Sequence, residues 1–241
     1  MIGYNTKGTK MKIIAERSKS DFDVEFLDEH HYVKEHVTSS NFNNGQVKNP
    51  YDASIFDNGY LGVGKYKTEI NKNKKTDEYT CWTGMFKRCY CRDMESDKFT
   101  SYKGIAEVCH EWYNFQNFAE WFNKNKYNIG KERIHVDKDI KYPGNKIYSP
   151  YHCILVPQGI NEQFKESSSK TRAIDSDLPL TIRRKGSEFS VSYRGKNLGI
   201  YDNVEKCIDM YRNAKRKYVT ELIGNYKTMP DNVKEIILTA L

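Results

Sequence analysis

Apolar residues in the first part of the chain come in short runs that charged turns interrupt. The runs are 11–15, 24–26 and 32–37, and Asp28 with Glu29 separates the last two. Short apolar runs with polar breaks are typical of half-buried strands. The pattern predicts a small antiparallel sheet over residues 11–37, followed by turns in the Asn- and Gly-rich segment 41–64. A first module is therefore expected to end near residue 65.

Two aromatic-rich segments in the middle of the chain have helical periodicity. Apolar residues recur every three or four positions in segments 80–90 and 110–125, which predicts two amphipathic helices. The lysine-rich segment 65–75 before them is either a phosphate-facing loop or a solvated linker. The aromatic stripes are assigned to the core, and their residues are Trp82, Met85, Phe86, Cys89, Trp112, Phe115, Phe118, Ala119 and Phe122.

A strand, a loop and a helix are expected in succession after residue 132. Segment 133–140 has the composition of a strand, and segment 141–148 surrounds a Pro-Gly pair and predicts a loop. Ser149 and Pro150 then indicate the start of a helix, because serine is a good N-cap and proline suits the first helical position.

The C-terminal third predicts a three-stranded meander covered by a helix. After a polar linker at 167–176, short runs at 180–184, 188–193 and 197–201 are separated by glycine-containing turns. A helix with one apolar face is expected over 204–218, and a short helix over 230–241. The second face of the sheet stays open, and a basic open face can lie in a major groove or on a phosphate backbone.

Composition narrows the class of protein. No run of a dozen apolar residues occurs in the 241 residues, which excludes a spanning helix and a secretory signal and predicts a soluble intracellular protein with no membrane partner. The 39 Lys and Arg exceed the 32 Asp and Glu, giving a net charge of +7 that is concentrated toward the C-terminus. This excess is compatible with a polyanionic partner, and an ordinary charged surface is the alternative.

The densest group of polar side chains lies in the predicted strand 133–140. Because alternate residues of a strand share a face, His135, Asp137 and Asp139 are expected to point the same way. Carboxylates bind hard divalent cations, and such a cation stabilises the charge that develops when a phosphodiester is hydrolysed. One interpretation is a metal site, and the other is an exposed strand whose charges face water.

The sequence around this strand resembles the HNH branch of the His-Me finger nucleases, in the form common among phage-encoded and homing-endonuclease-like proteins. The matching segments are 136–140, 144–150, 152–157 and 160–161, with shorter stretches at 48–51, 88–90, 102–104 and 111–119. The resemblance implies a domain over 66–166 in which a hairpin and a helix hold one Mg²⁺ or Mn²⁺ ion. It implies that Asp137 is the strand ligand, that Asn145 is the loop residue and that His152 is a ligand from the helix.

Lys138 departs from this pattern, because the matching position in the family holds the histidine that activates water. A lysine with an unperturbed pKa of about 10.4 is a poor base, and the adjacent Asp137 and Asp139 favour its charged form. His135 has a suitable pKa and could accept the proton instead. Two functions stay open: a DNA endonuclease, and a DNA-binding regulator or anti-defence protein that has lost its base.

The C-terminal meander resembles the ethylene-response-factor (Apetala-type) DNA-binding domain in segments 189–193, 195–201 and 204–218. The resemblance implies that the sheet reads a groove of double-stranded DNA, and a small packing domain is the alternative. Segment 178–180 differs from the Gly-Val opening of that family. The implied DNA contacts are Arg183, Arg184, Lys185, Arg194 and Lys196.

The cysteines do not form a zinc-binding pattern. Cys89, Cys91, Cys109 and Cys153 lack paired CxxC units, so buried free thiols are favoured over a structural Zn²⁺. The sequence as a whole predicts an α+β protein with modules at 1–65, 66–166 and 167–241. Its expected location is the cytoplasm of a phage-infected bacterial cell.

Overall fold

The computed structural model describes residues 1–91, 105–164, 178 and 181–241. The chain divides into two units, the first formed by residues 1–124 with 146–149 and the second by residues 125–145 with 150–241. The predicted α+β class is confirmed, since helices alternate with several small sheets. Of the two predicted module boundaries, the one at residue 65 lies inside the first unit. The boundary at 166 and the linker 167–176 lie outside the described residues.

The predicted N-terminal sheet is present in the first unit. Its four antiparallel strands pair in chain order, and a short helix α1 (Ser39–Asn43) follows them. Phe22, Val24 and Phe26 alternate with polar residues along one strand and are buried, together with Phe42 of α1, in one apolar cluster. The strands are β1 (Ile2–Tyr4), β2 (Lys10–Ser18), β3 (Asp21–Phe26) and β4 (Val33–Val37).

The lysine-rich segment forms a two-stranded hairpin of β5 (Glu69–Asn71) and β6 (Lys74–Lys75). The first predicted helix follows it as α2 (Asp77–Tyr90). It begins earlier than expected, because the side chain of Thr76 accepts a hydrogen bond from the amide of Tyr79 and caps the helix.

The second predicted helix is divided into two parts. A 3-10 helix covers His110–Tyr113, and α3 (Phe115–Asn125) follows it. The predicted aromatic stripes lie in the core, since Trp82, Phe86 and Trp112 have no exposed surface. The first unit also contains β7 (Glu107–Val108) and β9 (Ile147–Tyr148), which pair in parallel. This pairing explains why residues 146–149 belong to the first unit, and it makes the end of the predicted loop 141–148 a strand.

The second unit overturns the predicted helix start at Ser149 and Pro150. Residues 150–152 form a turn, and β10 (Ile154–Pro157) follows and pairs antiparallel with β8 (Ile134–Asp137). All four residues of β10 are buried, and a short apolar run that is buried on both faces forms a strand more readily than an amphipathic helix. The helix comes one element later, as α4 (Gln158–Asn161).

β8 is shorter than the predicted strand 133–140. Asp137 Oδ1 accepts hydrogen bonds from the backbone amides of Asp139 at 2.8 Å and Ile140 at 2.7 Å. An aspartate that bonds amides two and three residues ahead turns the chain, and the strand therefore ends at Asp137. Of the three residues expected on one face, only His135 and Asp137 lie in the strand, and Asp139 lies beyond it.

The C-terminal meander and its helix are present as expected. Three antiparallel strands pair in chain order and two helices follow, of which the first extends six residues beyond its predicted end. Position 180, the first of the predicted run 180–184, lies outside the described residues. The elements are β11 (Ile182–Lys185), β12 (Glu188–Tyr193), β13 (Lys196–Tyr201), α5 (Val204–Gly224) and α6 (Asp231–Thr239).

The long helix α5 takes part in two apolar clusters of the second unit. Near its beginning, Cys207 packs with Ile182 and Val191 of the C-terminal sheet. Nearer its end, Val219 and Ile223 pack in a cluster that also contains Ile154, Val156 and Ile160 of the β10–α4 segment and Val233 and Ile237 of α6. One helix therefore joins the C-terminal sheet to the β8–β10 pair.

We expect truncation of Ile237 to destabilise the second unit. This residue of α6 has no exposed surface, and an Ile→Ala change at a buried site costs about 2–5 kcal/mol through lost transfer energy and the cavity left behind. The measurement is the free energy of unfolding in urea. Glu235→Ala, at an exposed position of the same helix, is the matched control. Equal stability of the two variants would contradict the docking of α6.

Candidate functional site

The polar residues singled out in the sequence surround a strand pair that a helix follows. In the β8–β10 pair, His135 is opposite Val156 and Asp137 is opposite Ile154. Cross-strand partners lie on the same face of a sheet. Because Ile154 and Val156 pack in one cluster with Ile160 of α4, His135 and Asp137 lie on the face of the strand pair that faces this cluster.

His135 contacts a residue that was assigned no role from the sequence pattern. Its Nδ1 atom lies 2.9 Å from the side-chain amide nitrogen of Asn161, the last residue of α4. The amide can donate to Nδ1, or, turned over, it can accept a proton from Nδ1–H through its oxygen. In the second arrangement Nε2 keeps the lone pair that a general base needs. The available sequence signal was the Ile160-Asn161 pair, which belongs to the nuclease-like segments.

Asp137 is held by the backbone that follows it. Its Oδ1 atom accepts the two amide hydrogen bonds that end β8, whereas Oδ2 takes part in neither. Burial of the carboxyl raises its pKa, although the two amide hydrogen bonds oppose that shift. The side chain is therefore an ordered carboxylate with one oxygen committed to the fold.

Lys138 is buried, with 7% of its surface exposed, and its ammonium group is fully engaged. Nζ donates to both carboxylate oxygens of Asp139, at 2.7 and 2.9 Å, and to the backbone oxygen of Asn145 at 2.5 Å. The Asn145 side chain donates in return to the backbone oxygen of Lys138 at 3.0 Å. These three hydrogen bonds use all three N–H donors of the ammonium group. We call these three residues the lysine clasp, and they close the loop 138–145.

The predicted helix position of His152 is wrong, because α4 begins six residues later. The residue lies in the turn before β10, and its ring packs edge-on against Tyr142 and Tyr151, with centroid distances of 5.4 and 5.1 Å. Within the described ranges 1–91, 105–164, 178 and 181–241, no three His, Cys, Asp or Glu side chains come together as a metal site. Asp137 and His152 are therefore not part of such a group.

All six cysteines have free thiols. Cys89 and Cys153, two of the four that were considered for zinc, are buried, while Cys91 and Cys109 are half-buried. Burial raises the pKa of the Cys109 thiol, which favours the protonated form over the thiolate that binds zinc.

The five basic residues predicted to contact DNA are all exposed, but they divide between two sides of the C-terminal sheet. Ile182 and Val191 are cross-strand partners that pack toward α5. Because neighbouring strand residues alternate in direction, Arg183 and Lys185 lie on the opposite, open face. Arg184 lies on the α5 side, where its guanidinium group is 5.5 Å from the centroid of the Phe189 ring.

Arg194 and Lys196 are also on the helix side. Arg194 lies in the turn between β12 and β13, and its guanidinium group is 4.2 Å from the centroid of the Tyr218 ring in α5. Lys196 is opposite Tyr193 in the strand pair. The ring centroid of Tyr193 is 5.3 Å from that of Tyr211 in α5. The open face therefore has two of the five predicted contacts, Arg183 and Lys185.

A groove of about 480 Å³ lies in the first unit beside α2. Lys75 of the lysine-rich hairpin and Lys87 of α2 line it, together with Tyr79, Thr80 and Thr83. None of its lining residues is a histidine or an acid. The groove can attract an anion, but its lining has no group suited to general base catalysis.

Comparison of the chain with protein-family models, curated proteins and solved structures gives no match. Among the residues that the structure describes, no helix has the length and apolar character needed to cross a bilayer.

We expect Asp137→Asn to raise stability at neutral pH in buffer without divalent cations. Asparagine keeps the oxygen that accepts the two amide hydrogen bonds and removes the buried charge. Because the pKa of Asp137 is raised in the folded protein, its contribution to the free energy of unfolding decreases as pH rises from the ordinary value of 3.8 through the folded pKa. The advantage of the variant should therefore disappear at pH values below 3.8.

Urea unfolding of the parent and the variant at several pH values measures this difference. Asp137→Ala is the comparison, because it removes the acceptor and should cost about 1–3 kcal/mol at neutral pH. An asparagine variant as unstable as the alanine variant would contradict this account of Asp137.

Proposed function

We propose that the protein binds double-stranded DNA through its second unit and hydrolyses phosphodiester bonds there as an HNH-type, divalent-metal-dependent endonuclease. The observation that carries the proposal is the order of β8, β10 and α4. His135 and Asp137 lie on the face of the strand pair that faces the apolar cluster containing Ile160 of α4. A hairpin followed by a helix is the arrangement that the resemblance to HNH nucleases implies.

Each polar residue of this face has a distinct role in the proposal. With the Asn161 amide turned over, His135 accepts the proton of the attacking water at Nε2, while its Nδ1–H donates to the side-chain oxygen of Asn161. Asn161 is a positioning residue, since it fixes the ring and the tautomer. In this account Lys138 and Asn145 stabilise the loop, and neither takes a proton.

The chemistry of Asp137 fits a hard cation. Magnesium retains several waters and commonly binds one or two carboxylates, so the Oδ2 atom, which does not take part in the turn, is a suitable donor. A magnesium or manganese ion held there would stabilise negative charge on the scissile phosphate. We leave His152 out of this set, because its ring packs edge-on against the two stacked tyrosines Tyr142 and Tyr151.

The open face of the C-terminal sheet supports the DNA-binding part of the proposal. Arg183 lies in a cross-strand row with Ser190 and Ile200, and Lys185 lies at the end of the same strand. A two-stranded β-ribbon fits a major groove, where basic side chains contact phosphates and guanine edges.

We expect the purified protein to nick or linearise supercoiled DNA in the presence of Mg²⁺ or Mn²⁺, but not in EDTA. His135→Ala and Asp137→Asn should each lower the rate at least about 100-fold, because one removes the base and the other the charged ligand. Asn161→Ala should lower it less than His135→Ala does. Asp231→Asn, which makes the same chemical change at an exposed site, is the matched control.

A binding-only function is the second candidate, and the lysine clasp is the observation that favours it. The residue at the base position is an engaged ammonium, so the same scaffold could serve a DNA-binding regulator or an anti-defence protein. DNA that is bound in a gel shift but stays intact with both metals would contradict the nuclease proposal and support this one. If the protein neither binds nor cleaves DNA at low salt, both candidate functions are contradicted.

We expect Arg183→Ala to weaken DNA binding more than Arg194→Ala. Arg183 is on the open face, whereas Arg194 packs on Tyr218. Loss of one open-face contact should raise Kd about tenfold and lower the slope of log Kd against log salt by about 0.9 if that contact is to a phosphate. Fluorescence anisotropy with a labelled duplex at four salt concentrations measures both effects. A larger loss in Arg194→Ala would mean that the helix side contacts DNA.

A further inference from the structure

A group of aromatic and basic side chains lies between β8 and β10 and has no role in the mechanism above. The rings of Tyr142 and Tyr151 are stacked, with centroids 5.5 Å apart and planes 20° apart, and His152 lies edge-on to both. Lys141 completes the group. We call these four residues the aromatic cluster.

The positively charged ammonium group of Lys141 lies beside the two tyrosine rings. Its Nζ atom is 4.7 Å from the centroid of Tyr151 and 5.2 Å from that of Tyr142, and it donates to the backbone oxygen of Tyr151 at 2.6 Å. Among the residues that the structure describes, Nζ forms no ion pair with a carboxylate. Its positive charge is therefore available to an anion.

Tyr151 is both ordered and exposed. About 65% of its surface is accessible, although Tyr142, His152 and Lys141 fix the position of its ring. An exposed aromatic ring that is already fixed loses little conformational entropy when a flat ligand stacks on it. The cluster is thus preorganised for a planar group next to a negative charge.

The loop that presents the cluster is fixed by the lysine clasp. The amide of Asn145 donates to the backbone oxygen of Tyr142 at 3.0 Å, and Asn145 also closes the clasp with Lys138. The cluster therefore lies in the segment that connects the strand of His135 and Asp137 to its partner β10. A ligand bound to the cluster would contact the same hairpin as the proposed reaction.

We propose that the aromatic cluster binds an unpaired base of DNA, with the base stacked on Tyr151 and a neighbouring phosphate at Lys141. Nucleic-acid-binding proteins combine aromatic stacking platforms with cations in this way, and stacking is possible only for a base that has left its pair. The inference rests on the proposed DNA binding and specifies the substrate: a duplex with a locally unpaired base is bound more tightly than a fully paired one.

The test compares two labelled duplexes of the same sequence, one fully paired and one with a single extra 2-aminopurine, in the metal-free buffer of a binding assay. We expect the parent protein to prefer the bulged duplex and to quench its 2-aminopurine fluorescence. Tyr151→Ala should weaken binding of the bulged duplex about tenfold and abolish the quenching, because stacking contributes about 5- to 150-fold per base. Binding of the paired duplex should change less than twofold.

Three controls separate stacking from other effects. Tyr151→Phe keeps the ring and should retain the preference for the bulged duplex. Tyr4→Ala removes a tyrosine of similar exposure, 60%, from the N-terminal sheet and should leave binding unchanged. Lys141→Gln should keep the quenching but reduce the salt dependence of Kd, since it removes the cation and leaves the ring.

The outcomes distinguish this inference from the proposed function. If both duplexes are bound and Tyr151→Ala affects neither, or affects both equally, the inference is overturned and DNA binding stands. If the parent binds neither duplex at low salt, the proposed DNA binding is overturned and the inference fails with it.

Discussion

The second unit depends on burial along the single helix α5. Cys207 near its start has no exposed surface in the cluster under the C-terminal sheet, and Val219, three turns later, has none in the cluster under β10 and α4. Within the described part of the chain, neither small sheet has another cover of comparable length, and a two- or three-stranded sheet needs such packing to be stable. The hairpin with the candidate catalytic groups and the sheet with the basic open face are parts of the same compact unit.

The lysine clasp imposes a second constraint, on the loop between β8 and β10. A buried ammonium is stable only when its donors are paired, and Asp139 and Asn145 provide that pairing for Lys138. The clasp explains how the β8–β10 hairpin keeps its shape with a lysine at position 138. The remaining candidate for a proton acceptor is His135, whose contact with Asn161 does not involve Lys138.

The elements that the sequence predicted well were those in which apolar residues recur with clear periodicity over a long segment. The stripe through Trp82 and Phe86 located α2, and the apolar face through Cys207 and Tyr211 located α5, because packing and local preference agree there. The signal failed at Ser149 and Pro150, where good capping residues precede a strand that β8 selects through long-range pairing. It also failed at Asp139 and Asn161. The position of Asp139 depends on a turn made by Asp137, and the position of Asn161 depends on where α4 begins after β10.

Hydrogen exchange tests most directly whether α5 joins the candidate site and the C-terminal sheet in one cooperative unit. Opening free energies would be measured for the backbone amides of β10 and of the central sheet strand β12, in the parent and in Val219→Ala. Val219 packs in the cluster of β10 and not in that of β12. We expect the substitution to lower the opening free energies of both strands by the same amount. A decrease confined to β10, with β12 unchanged, would contradict it.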